Sequence, residues 1–207
     1  MAVIFSKRKA LALLSVTIAS PAFAQFGGLL GGSKGGGDPG KIEGDLKGII
    51  EKTSRVISKL YQALGNKESA EKAQKLADDI SKGSLGVSDS TASMSEMCDS
   101  LKSELNKAVA EGRKGDAEAA KAAVQAFPPA IQVIPLWKSV IDGIKTIDKS
   151  RSMSGAGLAL IQAAPKLPTA LTNTVDALKA GVTYLTFSGV DMSDTEKALT
   201  EGLSKLT

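Results

Sequence analysis

The chain of 207 residues contains no histidine. That gap removes Ser-His and Cys-His nucleophile pairs, histidine-ligated haem and the usual catalytic zinc sites, all of which need an imidazole as base or ligand. Cysteine is nearly missing as well. Cys98 stands alone, so no internal disulfide can form, and burial of the lone thiol is the expected arrangement. Aromatic residues are few, with one Trp, two Tyr and five Phe. No stretch alternates apolar and polar residues over a useful length, which excludes half-buried strands and leaves an all-α class.

Long uncharged runs are also lacking beyond residue 40. The longest, Ala122–Trp137, has 16 residues and three prolines. A simple membrane span needs about 20 apolar residues, and a Pro-Pro pair would leave backbone groups unpaired in lipid. No transmembrane span is therefore expected after the N-terminal segment.

That segment has the layout of a secretory signal. Lys7, Arg8 and Lys9 form a basic start, Ala10–Ser20 is an apolar run, and Pro21-Ala22-Phe23-Ala24 supplies small residues for a peptidase. Residues 1–24 are expected to be a signal peptide, with cleavage between Ala24 and Gln25 and a periplasmic or secreted destination. Three of the 26 basic residues lie in this segment, so the remainder is nearly balanced against 22 acidic ones. The sequence pI of about 9.1 thus carries no argument for nucleic-acid binding. Basic and acidic residues alternate from there on, as on solvated helix faces.

Residues 25–40 hold eight of the 21 glycines and read as a flexible leader, since glycine has the most conformational freedom to lose on ordering. Phe26, Leu29 and Leu30 form a small apolar cluster within it, suited to docking. Residues 41–207 then read as a single domain, a bundle of six to seven amphipathic helices. Ile42, Leu46, Ile49, Ile50, Val56, Ile57, Leu60 and Leu64 recur at helical spacing, and Gly65 closes the run. Asn66 can cap a second helix bearing Ala70, Ala73, Leu76, Ala77 and Ile80, whose small size suggests close helix approach. A third helix is expected from Ser90 or Thr91, and the span 91–127 fits either one helix or two. Pro128-Pro129 is expected to end it, because proline forces its predecessor out of the helical region.

Composition changes at that point. Residues 41–121 carry 28 charges in 81 positions, and 122–192 carry 10 in 71. On that contrast the charged helices, 41–127, are expected to form an outer layer and the apolar ones, 130–206, the core. Pro135 opens a helix with Trp137, Val140, Ile141, Ile144 and Ile147 on one face. Ser150–Gly157 reads as a turn, and Leu158–Ala164 as a short helix stopped by Pro165. Pro168 starts a helix bearing Leu171, Val175, Leu178, Val182 and Leu185. Ser193-Asp194-Thr195-Glu196 has the spacing of a capping box for the last helix.

Few groups offer chemistry. Met94, Met97 and Cys98 share one helix face at i, i+3 and i+4, and thioether with thiolate is a soft set suited to Cu(I). The same residues also continue the apolar stripe of Leu101 and Leu105, where methionine serves as core filler. Phe127, Trp137, Tyr184 and Phe187 gather in the apolar half, where they either pack the core or line a cavity for an apolar ligand. No catalytic constellation and no cofactor is implied. The expected function is that of an exported, non-catalytic helical protein acting by interaction or as a scaffold. A module for an apolar small molecule or lipid, or a Cu(I) site, is the alternative.

Overall fold

Asp38 starts the first helix: its carboxylate accepts a hydrogen bond from Gly40 N at 3.0 Å, and Pro39 occupies a first-turn position where a missing N–H costs nothing. The computed structural model describes residues 38–147 and 155–206, so the expected signal peptide, the Phe26, Leu29 and Leu30 cluster and most of the 150–157 turn lie outside the described residues. The helices are α1 (Pro39–Leu64), α2 (Lys67–Ser81), α3 (Val87–Ala110), α4 (Ala117–Gln132), α5 (Ile134–Lys145), α6 (Gly155–Ala163), α7 (Leu167–Phe187) and α8 (Ser193–Ser204). Among the described residues there is no strand, and the fold is an all-α bundle. Val133 alone separates α4 from α5, and a 3-10 turn at Ala164–Lys166 joins α6 to α7. Taken as two broken helices, these reduce the eight segments to six. Among the described residues no helix is long and apolar enough to cross a membrane.

Local signals set most boundaries. Gly65 adopts a left-handed φ of 79°, and Asn66 N reaches Tyr61 O at 2.9 Å, satisfying a carbonyl that the end of α1 would otherwise strand. The Asn66 side chain then accepts from Ser69 N at 3.1 Å to start α2. Asp116 does the same for α4 through Ala119 N at 2.9 Å, so the 91–127 stretch is two helices. The third helix begins earlier than expected, at Val87, leaving Lys82-Gly83-Ser84-Leu85-Gly86 as the connection.

The paired residues give the helix directions. Tyr61 meets Met97 and Asn66 meets Glu104, so α1 and α3 run parallel. Asn173 meets Ser95 and Lys166 meets Ser88, so α7 runs parallel to α3. Ser58 contacts Ala70 and Arg55 contacts Asp78, which makes α2 antiparallel to α1. Gly115 lies against the Ala63 carbonyl and Gly143 against Ile42, so α4 and α5 descend along α1.

Four expectations need correction. First, the charged half is not an outer layer. Helix α1 lies at the centre of the bundle, with Leu46, Ile49, Ile50, Thr53, Ser54, Val56, Ile57, Ser58, Leu60 and Tyr61 all buried. Mean charge over a segment says little about burial when the charges sit on one stripe and the apolar residues on the rest. Second, Pro128 and Pro129 lie inside α4 and do not end it. Both are exposed, so the carbonyls of Val124 and Gln125, which lose their helical donors, stand on the solvent side where water can serve them. Third, Gly155–Gly157, expected in the turn, already belong to α6; that helix does end ahead of Pro165, where a 3-10 turn leads into α7. Fourth, Ser193 is not the cap of α8. Its N and Oγ both donate to the Asp191 carboxylate, at 3.0 and 2.7 Å, so the anchoring acid lies two residues before it.

Two substitutions test this packing. A Cβ on Gly115 would lie 2.7 Å from the Ala63 carbonyl oxygen and 2.8 Å from the Tyr184 hydroxyl. The first obstacle is backbone, so Gly115→Ala is expected to cost about 1–3 kcal/mol, seen as a lower urea midpoint. Pro128→Ala restores a helical N–H at an exposed site. It is expected to stabilise by about 1–2 kcal/mol, after the greater freedom of the unfolded chain is deducted. An unchanged or lower midpoint would show that α4 does not bear the proline penalty.

Candidate functional site

Small residues on α2 decide where the surface opens. Ala70, Ala73 and Ala77 let α2 settle closely on α1, close enough for Ser58 Oγ to donate to Ala70 O at 2.8 Å across the two helices. Helix α3 packs on α1 as well, yet α2 and α3 touch each other far less. Between them runs a groove with a volume of about 300 Å³. Tyr61 of α1 lies at its base, Ser69 and Lys72 on the α2 wall, and Ser93, Glu96, Met97 and Ser100 on the α3 wall.

The Tyr61 hydroxyl donates to Met97 O at a long 3.5 Å. Burial pushes its phenol pKa up, against the opposing hydrogen bond with Ser100. It therefore stays a neutral donor. Asn66 Nδ2 reaches a Glu104 carboxylate oxygen at 3.1 Å, tying the start of α2 to α3 on the same side of the bundle as Tyr61. Lys72 pairs with Glu68 at 2.7 Å on the outer surface, and that hydrogen bond holds the Glu68 carboxyl below its ordinary pKa. The groove thus combines a thioether, several hydroxyls and one charge of each sign.

A second cleft of about 370 Å³ lies between α3 and α7, lined by Lys102, Asn106, Asp176, Lys179 and Thr183. Lys102 and Asp176 pair across it at 2.7 Å. The pair is partly exposed, so its net worth is small.

The three sulfurs divide between two environments. Met94 and Cys98 are fully buried, whereas Met97 faces the groove. Met97 and Cys98 are successive residues, about 100° apart around the helix axis. The Cys98 Sγ lies 3.8 Å from Thr174 Oγ1 on α7, and burial pushes the thiol up to about 12. A soft-metal ligand must shed that proton, and the surroundings oppose it. Among the described residues, no group of three or more carboxylates and thiols is placed to hold a metal ion.

The four aromatics are likewise distributed. Phe127 is buried, and its Cζ stands 2.9 Å from where a Cβ on Gly181 would be. The Tyr184 hydroxyl donates to Ala63 O at 3.3 Å. Trp137 is buried, and its indole N–H has no hydrogen-bond partner among the described residues. Phe187 is half-buried under the Lys114 ammonium, 5.8 Å from the ring centroid. None of the four lines the α2–α3 groove or the α3–α7 cleft.

Sequence reasoning missed Tyr61, Ser69, Lys72, Ser93, Glu96 and Ser100. Only Tyr61 left a signal, as a polar-tipped residue four positions after Ile57 on a stripe otherwise aliphatic. No family model, curated protein or solved structure matches the chain.

The Cys98 environment yields a direct test. The native thiol is expected to resist a thiol-specific disulfide reagent at pH 8 and to react fully once unfolded in urea. A folded-state pKa above the ordinary 9.0 means the thiol's contribution to stability is complete below pH 9 and lost as pH rises toward 12. Cys98→Ala is accordingly expected to lose less stability than wild type across that window. Rapid labelling of the folded protein would contradict the burial.

Proposed function

We propose that this chain is an exported, non-catalytic helical protein that acts in the periplasm by binding, with the α2–α3 groove as the surface that receives an extended peptide segment. The export half of the reading rests on the basic start, apolar run and small-residue site in residues 7–24. The non-catalytic half draws support from the lack of any imidazole in the chain.

The observation that carries the binding role is the side-chain set around Met97. Hydroxyls both donate and accept, so Ser69, Ser93 and Ser100 suit the N–H and C=O groups of an extended backbone equally. A flexible thioether adapts to apolar side chains of different shape. Lys72 and Glu96, on opposite walls, suit a segment in which an apolar residue is flanked by charges of both signs.

Fluorescence anisotropy with a labelled pool of nonapeptides, each carrying one Leu or Phe between a Lys and a Glu, tests the proposal. Saturable binding is expected, weakened at least about 10-fold by Met97→Glu, a loss of roughly 1.4 kcal/mol. Lys179→Ala, in the α3–α7 cleft, is expected to bind like wild type. Absence of saturable binding, or equal loss in both variants, would overturn the groove as the binding surface.

A further inference from the structure

Access to solvent separates the sulfur atoms of the described residues. Met94 and Met192 are buried, so their thioethers are closed to dissolved reagents. Met97 is half-buried: it packs on the core from one side and lines the α2–α3 groove on the other. Cys98, its neighbour in sequence, does not compete for an oxidant. Its thiol is fully buried beside Thr174 and keeps its proton, whereas the reactive form of cysteine is the exposed thiolate. A thioether has no proton to lose and reacts wherever the oxidant can touch it. Among the described residues, Met97 is the sulfur that meets this condition.

The surroundings of Met97 also suit the oxidised product. Ser93 and Ser100 stand four residues before and three after it, so both flank it on its own face of α3. A helical side chain leans toward the N-terminus of its helix, which lays the Met97 thioether over the turn carrying Ser93. Ser100 is engaged with the Tyr61 hydroxyl at the base of the groove. Ser93, half-buried on the groove wall, can turn its hydroxyl proton toward an oxygen placed on the Met97 sulfur. A sulfoxide at Met94 would instead force a polar oxygen into the apolar core.

We propose that Met97 is an oxidation site for peroxides, and that its conversion to the sulfoxide releases a peptide from the α2–α3 groove. The sulfur lone pair attacks one oxygen of the peroxide, and the S–O bond forms as the O–O bond breaks. With hydrogen peroxide, the released hydroxide takes the proton from the sulfur-bound oxygen and leaves as water. Sulfur is oxidised by two electrons and the peroxide is reduced. The adaptable apolar contact becomes a polar one, and the Ser93 hydroxyl that would serve a peptide backbone turns to the sulfoxide oxygen. The oxidation site stands on the burial pattern alone; the release rests on the peptide-binding reading of the groove.

Peptide mapping by mass spectrometry after timed exposure of the folded protein to hydrogen peroxide tests the site. Met97 is expected to gain one oxygen at least about 10-fold faster than Met94 and Met192, with the urea midpoint nearly unchanged. Equal rates at the three positions, or unfolding as Met97 is oxidised, would overturn it. Release is read by anisotropy with the nonapeptide pool on the same samples. Affinity is expected to fall at least about 10-fold, in step with the Met97 sulfoxide fraction and not with that of Met153, which lies outside the described residues. Met97→Leu, whatever its starting affinity, is expected to show that affinity unchanged after peroxide. Undiminished binding by protein oxidised at Met97, or an equal loss in Met97→Leu, would overturn the release while leaving the groove reading intact. Absence of binding before oxidation would overturn the groove reading and the release together, and the mapping would still decide the oxidation site.

Discussion

The structure depends on one helix being enclosed by the others. Through the middle of α1 apolar and hydroxyl residues are buried on nearly every side, with Arg55 left as the outward position. Such a helix cannot be built from large aliphatic residues alone, since neighbours on several sides must approach its backbone. Thr53, Ser54 and Ser58 meet that demand with small volume. Ser58 gives its proton to the Ala70 carbonyl, while the Thr53 and Ser54 hydroxyls find no partner among the described residues. An unpartnered buried hydroxyl costs about 1–3 kcal/mol, so close packing around α1 must offset a real polar penalty.

The surface features follow from this enclosure. Alanines draw α2 inward on one side of α1, and α3 settles on another, leaving the groove above Tyr61. Elsewhere the approach is made by glycines. Gly181 brings α7 within reach of Leu60 and Phe127, and Gly143 brings α5 onto Ile42. Where α4 and α5 bend around α1, the ladder breaks at Val133 and α8 covers the seam. The groove arises where helices that pack well on α1 cannot also pack fully on one another.

Much of this was legible in the chain. Gly65, Asn66 and Asp116 mark helix ends through hydrogen bonds confined to a few residues; the first two act as expected, and Asp116 decides that 91–127 is two helices. Pro135 and Pro168 likewise stand in first turns. Pro128 and Pro129 misled because the cost of a mid-helix proline depends on whether the freed carbonyls meet water, which is a property of the face and not of the dipeptide. Ser193 misled for a related reason. The Ser-x-x-Glu spacing allows a capping box, but Asp191 offers a carboxylate two residues upstream and takes the serine's N–H and hydroxyl together. The Met94, Met97 and Cys98 set has helical spacing in one dimension only; its members part once α7 claims Cys98 and the groove claims Met97.

The sequence by itself determined that the chain is helical, roughly where each helix begins and ends, that imidazole chemistry is absent, and which residues make each apolar stripe. These depend on interactions spanning at most about four residues. Only the tertiary structure decided that the most charged half supplies the central helix, that Tyr61 and Met97 share a groove, and that Gly202 rests on the α4–α5 break. Those outcomes rest on which stripes face each other, and that is set by side-chain volume across helices far apart in the chain.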